Sequence, residues 1–309
     1  MAAKLTEFGD QPQAGVYSST LDEIVGDIHN VHIILNSVNG HGKTSSLRTI
    51  IKHLKKSEPG IIIKIFDISQ AWFHRAPVEH RQRVTAATLN RGAVVNEGDT
   101  VYEMGSLTKD QRRAFVASVI KLDYQTRYET GLRFGIDAIK GLPFIIYVFE
   151  EASCYFDSWS ITMRKNDPWS SILYDFVMVG RNYKLRAFLV VSSEQGELCP
   201  KIRRRSTRLL GRIESKEDLS YYRGKDPRLA EVVKSMEKYH FIYWNGNGFG
   251  PFRIKDLVKS VPVDYVLPFV DEEKVEEVRP PGYWSRFFMG LGVGVVLWLL
   301  VSHFWRLYS

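Results

Sequence analysis

The chain has 309 residues, 42 of them Lys or Arg and 35 Asp or Glu, a formal surplus of +7. With 44% hydrophobic and 13% aromatic residues it holds ample material for a core, which excludes a disordered, collagen-like or low-complexity protein. Two cysteines, Cys154 and Cys199, exclude a disulfide framework and a four-cysteine zinc site and favour a reduced, cytosol-facing body.

Residues 1–28 read as a polar lead segment, without the basic start and apolar core of a signal peptide. A domain over 29–265 follows, in which short apolar runs alternate with amphipathic stretches. The first run, Val31–Leu35, leads into Asn36-Ser37-Val38-Asn39-Gly40-His41-Gly42-Lys43-Thr44-Ser45 and a helix near Thr44–Leu54. A glycine-bearing loop between strand and helix, closing on Gly-Lys-Thr, is a phosphate-binding loop. Gly40 and Gly42 let backbone N–H groups converge on phosphates, and Lys43 reaches the outer phosphates. Thr44 offers its hydroxyl to Mg²⁺, and the helix directs its positive end at the same place. Asn39 to Ser45, His41 included, therefore form the candidate ATP-binding set. The His41 side chain reads as exposed and not as a ligand, and Ser37 stands where such loops usually have their first glycine.

Further strands are expected at Ile61–Phe66, Phe144–Phe149, Ala187–Val191, Leu209–Ile213 and Phe241–Trp244, with helices clearest at Lys109–Tyr124 and Asp226–Lys238. Buried strands alternating with helices predict an α/β fold with a mostly parallel sheet flanked by helices. Phe144–Phe149 runs into Glu150-Glu151, 107 residues after Lys43. Acids at a buried strand end beside such a loop suit metal binding by the first, Glu150, and polarisation of water by the second, Glu151. Trp72, Trp159 and Trp169 are read as core or interface.

The end of the chain differs. A charged and Pro-rich linker, 266–285, precedes a predicted transmembrane helix, 286–306. Its core, Phe287–Trp305, is nineteen residues without a formal charge between Arg286 and Arg306. That is about 28 Å of helix, close to the hydrocarbon thickness, with Tyr283, Trp284, Trp305 and Tyr308 at interfacial positions. The expectation is a single-pass tail anchor with the preceding domain on the cytoplasmic side of a host or virion inner membrane.

Taken in order, NGHGKT (Asn39–Thr44), FDIS (Phe66–Ser69), VYEMGSLTKDQRRAFVASVI (Val101–Ile120), VFEEA (Val148–Ala152), VGRNYKLRAFLVVSSEQGEL (Val179–Leu198) and STRLLGRIESKEDL (Ser206–Leu219) resemble the FtsK–HerA superfamily of DNA-pumping ATPases. The chain lacks the appended domains of HerA and FtsK proper and is similar to the minimal, viral genome-packaging type. The resemblance implies a RecA-like, ASCE-type P-loop fold, a homo-oligomeric ring, a hexamer, and ATP-driven movement of double-stranded DNA, with virion or membrane proteins as further partners. It implies a polar sensor at Gln195, with Glu194 competing. It also implies an arginine acting across the subunit boundary at Arg212, with Arg208 the alternative.

Between Val179 and Arg212 lie nine basic and two acidic residues, a local surplus equal to that of the whole chain. Lys201, Arg203, Arg204 and Arg205 are the candidate contacts to DNA phosphates, and the cluster is expected beside the nucleotide site. Two competing readings remain, a Zot-like phage assembly NTPase and a nucleotide-dependent membrane scaffold.

Overall fold

The central strands are buried along their whole length because each of them feeds two cores. The computed structural model describes Ile24 and residues 26–90, 95–157, 168–244 and 249–253. The chain divides into two units, Met1–Phe269 and Val270–Ser309, and the described residues all lie in the first. Among them no helix is long and apolar enough to cross a membrane. The expected linker and anchor, 266–306, and Trp159 lie outside the described residues.

The main elements run β1 (His32–Asn36), α1 (Lys43–Ser57), β2 (Ile62–Asp67), β3 (Arg81–Arg83), β4 (Thr100–Glu103), α2 (Lys109–Phe134), β5 (Ile145–Phe149) and α3 (Pro168–Val179). There follow β6 (Leu185–Val191), α4 (Pro200–Arg203), β7 (Ser206–Leu210), α5 (Lys216–Lys225), α6 (Pro227–Lys234), β8 (His240–Trp244) and β9 (Phe249–Arg253). The strands form one sheet in the order β3-β4-β2-β5-β6-β1-β7-β8-β9. From β3 to β7 neighbours are parallel, and β8 and β9 add an antiparallel edge.

Alternation along β5 shows how the sheet is covered. Ile145, Tyr147 and Phe149 enter one core, with Phe115, Val119 and Ile120 of α2 and Leu173 and Phe176 of α3. Ile146 and Val148 enter the other, with Leu47, Ile50, Ile51 and Leu54 of α1. Period-2 alternation between two apolar faces is what a doubly covered parallel sheet requires. Full burial of each of those α1 side chains contributes about 1.5–3 kcal/mol. A third, smaller core joins α5, α6 and β8 through Tyr222, Leu229, Val233 and Ile242.

Boundaries moved where side-chain chemistry outweighs apolarity. The run expected at Leu209–Ile213 forms its strand at Ser206–Leu210, and Gly211 turns out of the sheet toward the β1 end. The helix expected over Asp226–Lys238 is α6, capped by Asp226, whose carboxylate accepts from the Arg228 N–H, and started by Pro227. Helix α2 continues past Tyr124 to Phe134, and Thr108 and Gln111 close a reciprocal capping box at its start. Strand β3, Arg-Gln-Arg, carries no apolar signal at all.

Candidate nucleotide site

Register brings the site together. Asn36 lies level with Val191 of β6 and Leu210 of β7, so Ser37, Ser192 and Gly211 leave the sheet side by side. Phe149 of β5 is level with Leu189, which places Glu150 in the same crevice. Crevices at the carboxyl ends of parallel strands are where such sheets bind ligands.

The loop from Ser37 to Gly42 adopts the curl expected of it. Gly40 and Gly42 have φ of 79° and 89°, the left-handed region that suits glycine, and Gly42 caps α1. Lys43 folds back over the loop, donating from Nζ to the Ser37 carbonyl at 2.6 Å, Asn39 Oδ1 at 3.0 Å and Ser192 Oγ at 3.1 Å. The Ser192 hydroxyl in turn donates to Asn39 Oδ1 at 3.0 Å. Burial pushes the Lys43 ammonium down, while Glu151, Glu150 and Glu197 pull it back up. A lysine drawn from water and held by neutral oxygens is poised to exchange them for phosphate oxygens.

Ser37 in place of glycine has a structural explanation. It is fully buried, and its hydroxyl donates to the Arg212 carbonyl at 3.3 Å. The space for its side chain comes from Gly211. A Cβ at Gly211 would stand 2.5 Å from Ser37 Oγ and 2.8 Å from its Cβ. The glycine missing from the loop is supplied by the neighbouring strand end.

Thr44 donates to Glu150 Oε1 at 3.1 Å, and the Trp72 indole N–H donates to the same oxygen at 2.6 Å. Burial pushes the Glu150 carboxyl up, and the bonds from Trp72 and Thr44 oppose the shift. Trp72 is fully buried, with the Arg48 guanidinium 5.1 Å from its ring centroid. Its loop is fixed by Asp67, which accepts from the backbone N–H groups of Ser69, Trp72 and Phe73. Glu151 is exposed, with φ at 55°, a strained value for a residue with a Cβ. Among the described residues no three His, Cys, Asp or Glu side chains group into a metal cage. A hydroxyl and one carboxylate suit Mg²⁺, which keeps waters and takes other ligands from phosphates.

Glu194 and Gln195 open a short turn, Glu194–Glu197, after β6. Glu194 is fully buried and paired with Arg208 at 3.1 Å. The Gln195 amide donates to Glu194 Oε1 at 3.2 Å, so it is Ser192 that touches Lys43. Asp218 of α5 holds the turn, accepting from Glu194 N, Gln195 N and Asn36 Nδ2 at 3.0, 2.7 and 2.9 Å. Glu197, pushed up by burial, accepts from Ser192 N at 3.3 Å. Arg208 is occupied by Glu194, by the carbonyls of Ser206 and Arg203, and by the Trp244 ring. Arg212 is the exposed arginine of this strand end and pairs with Glu214 at 3.0 Å, while its carbonyl accepts from Val38 N at 2.8 Å.

Ser192, Glu197 and Asp218 were not singled out from the sequence, and Trp72 was read there only as core or interface. Ser192 had a signal, a small polar residue closing a buried strand. Glu197 lies five residues after Ser192, whereas Trp72 and Asp218 are joined to the site only by the sheet order.

The basic segment departs from expectation in place. Lys201 to Arg205 precede β7, whose first residue pairs with His32 at the start of β1. They sit at the opposite end of the strands from the phosphate loop, about 13 Å away along β1 alone. The cluster also divides. Arg186 and Arg208 are buried, whereas Arg181, Lys201, Arg204, Arg205 and Arg212 are exposed and Arg203 is half-buried.

No family model and no curated protein matches the chain. Solved structures do. The genome packaging NTPase B204 from Sulfolobus turreted icosahedral virus 2, in complex with AMPPCP, matches with a TM-score of 0.50 at 14% identity, over 73% of this chain and 98% of that one. The same protein with sulfate gives a TM-score of 0.51 at 14% identity, over 72% and 96%. The chain has the P-loop NTPase fold of this viral protein. Within that fold the match spans nearly the whole of the viral protein, so the likeness is to a complete domain and not to a shared fragment.

Proposed function

We propose that the chain is an ATPase that drives double-stranded DNA during genome packaging or DNA transfer, working as a homo-oligomeric ring held at a membrane. The observation that carries this is the convergence of Lys43, Asn39 and Ser192 beside Thr44 and Glu150, at the carboxyl ends of β1, β5 and β6.

In this reading the backbone from Asn39 to Ser45 cradles the phosphates and Lys43 trades its present partners for the outer phosphate oxygens. Thr44 and Glu150 would hold Mg²⁺, which would neutralise charge on the phosphates. Glu151, next to Glu150 and open to solvent, orients and polarises the attacking water. Ser192 joins Gln195 as the polar group sensing the phosphate end. Arg212, exposed just beyond the end of β7, stabilises charge on a neighbour's nucleotide, which makes turnover depend on assembly. Lys201, Arg203, Arg204 and Arg205 grip DNA phosphates without reading sequence. The uncharged stretch Phe287–Trp305 supports anchoring at a membrane, and in this reading the domain lies on its cytoplasmic side.

The test is ATP hydrolysis by the purified chain with and without duplex DNA. Stimulation by DNA that vanishes in Lys43→Ala is expected. Hydrolysis indifferent to DNA would favour an assembly NTPase, and absence of hydrolysis a nucleotide-dependent scaffold.

A further inference from the structure

Tyr239 stands just before β8 with φ at 66°, a left-handed conformation that a residue with a Cβ rarely adopts. Such strain persists where surrounding contacts impose it, and ligand sites are where it gathers. Two contacts impose it here, and both reach the phosphate loop. The Tyr239 N–H donates to the His41 carbonyl at 3.2 Å. Its ring lies against Gly42, so closely that a Cβ there would stand 2.2 Å from Cδ1 and 2.4 Å from Cε1. The ring is thus held one residue away from Lys43. It is half-buried, and the Lys238 ammonium lies 5.1 Å from its centroid. Trp72, the other aromatic side chain drawn to the site, is fully buried and bonded to Glu150.

We propose that Tyr239 is the platform on which the base of a bound nucleoside triphosphate stacks. The proposal rests on the nucleotide reading above and adds the residue that recognises the part of the ligand beyond the phosphates. Phosphates held by the loop leave the sugar and base to emerge beside it, within reach of a ring seated on Gly42. A ring face reads a base by its π-surface and not by hydrogen bonds, so the platform favours a stacked base without choosing strictly among bases.

Titration calorimetry of the full chain with ATP and with inorganic tripolyphosphate tests this. Tyr239→Ala is expected to weaken ATP binding about tenfold, as loss of one base–aromatic stack does, and to leave tripolyphosphate binding within about twofold. Tyr239→Leu, which still covers Gly42 but has no π-face, should give the same split even if the alanine variant folds poorly. Tyr239→Phe should bind both probes like the parent chain. Unchanged ATP binding in the leucine variant would overturn the proposal. So would an equal loss of both probes, which would make the ring a clamp on the loop alone. A Lys43→Ala chain that binds both probes normally would instead remove the nucleotide reading, and the platform with it.

Discussion

The two ends of β1, β6 and β7 are built on opposite principles. At the carboxyl ends, few side chains meet, and each has several partners. Lys43 has three oxygen acceptors, and Glu150 accepts two donors on a single oxygen. At the amino ends, Lys201, Arg204 and Arg205 are exposed, Lys201 resting over the Tyr174 ring with a long bond to its hydroxyl and Arg205 making a long bond to the Met178 carbonyl. Chemistry on phosphates depends on groups fixed before the substrate arrives. Sliding contact with a polyanion depends on many solvated charges, none of which needs a fixed position. The difference is sharpest for Glu151→Gln. It should retain ATP binding and lose turnover by about a hundredfold or more, the range for loss of a general base. Single-turnover hydrolysis beside nucleotide binding measures the two separately, and an active glutamine variant would disprove the role of Glu151.

Within the carboxyl-end group, structural and chemical parts separate by substitution. Arg208 and Glu194 form a buried pair, so Arg208→Ala strands a carboxylate that burial already pushes up. Breaking one side of such a pair costs about 3–5 kcal/mol. Denaturant unfolding should show that loss in Arg208→Ala and little change in Arg212→Ala, whose side chain is 44% exposed. The reverse ranking is expected for hydrolysis. Gly211→Ala comes next, because its Cβ meets Ser37 at 2.5–2.8 Å. Overpacking of this kind costs about 1–3 kcal/mol. Adding Ser37→Gly should recover most of the melting temperature and ATP affinity, leaving only the contact with Phe241 Cε1 at 3.0 Å, and failure of the double variant to recover at all would show that Ser37 does not owe its place to Gly211.

What could be read in the sequence followed local rules. The phosphate loop was legible because glycine conformations, a lysine and a helix start are all set within ten residues. The six apolar strands were legible because two-sided burial leaves a continuous apolar run. Ser192, Trp72 and Asp218 were not, since each acts on residues 149, 78 and 182 positions away that only the sheet order brings near. Ser37 was visible as a departure, but its explanation, a glycine just past the end of another strand, was not. The basic segment was visible as a count. Charge counted along the chain does not tell the two ends of a strand apart, and so its expected place beside the nucleotide was mistaken. Two of its nine bases, Arg186 and Arg208, are buried.

That leaves the amino-end rim, where the smallest effects are expected. Each exposed lysine or arginine that neutralises one phosphate contributes about 0.9 to the slope of log affinity against log salt. Lys201→Ala, Arg204→Ala and Arg205→Ala should each lower duplex DNA affinity modestly and similarly for any sequence. Together they should reduce the slope by ~3. Because the rim lies at the far end of the strands from Lys43, the triple variant should hydrolyse ATP without DNA as the parent chain does and lose only the stimulation. Binding measured between low and high salt, beside basal hydrolysis, checks both halves. A triple variant with an unchanged slope would place the DNA on another surface. One with impaired basal hydrolysis would show that the two ends of the strands are not independent.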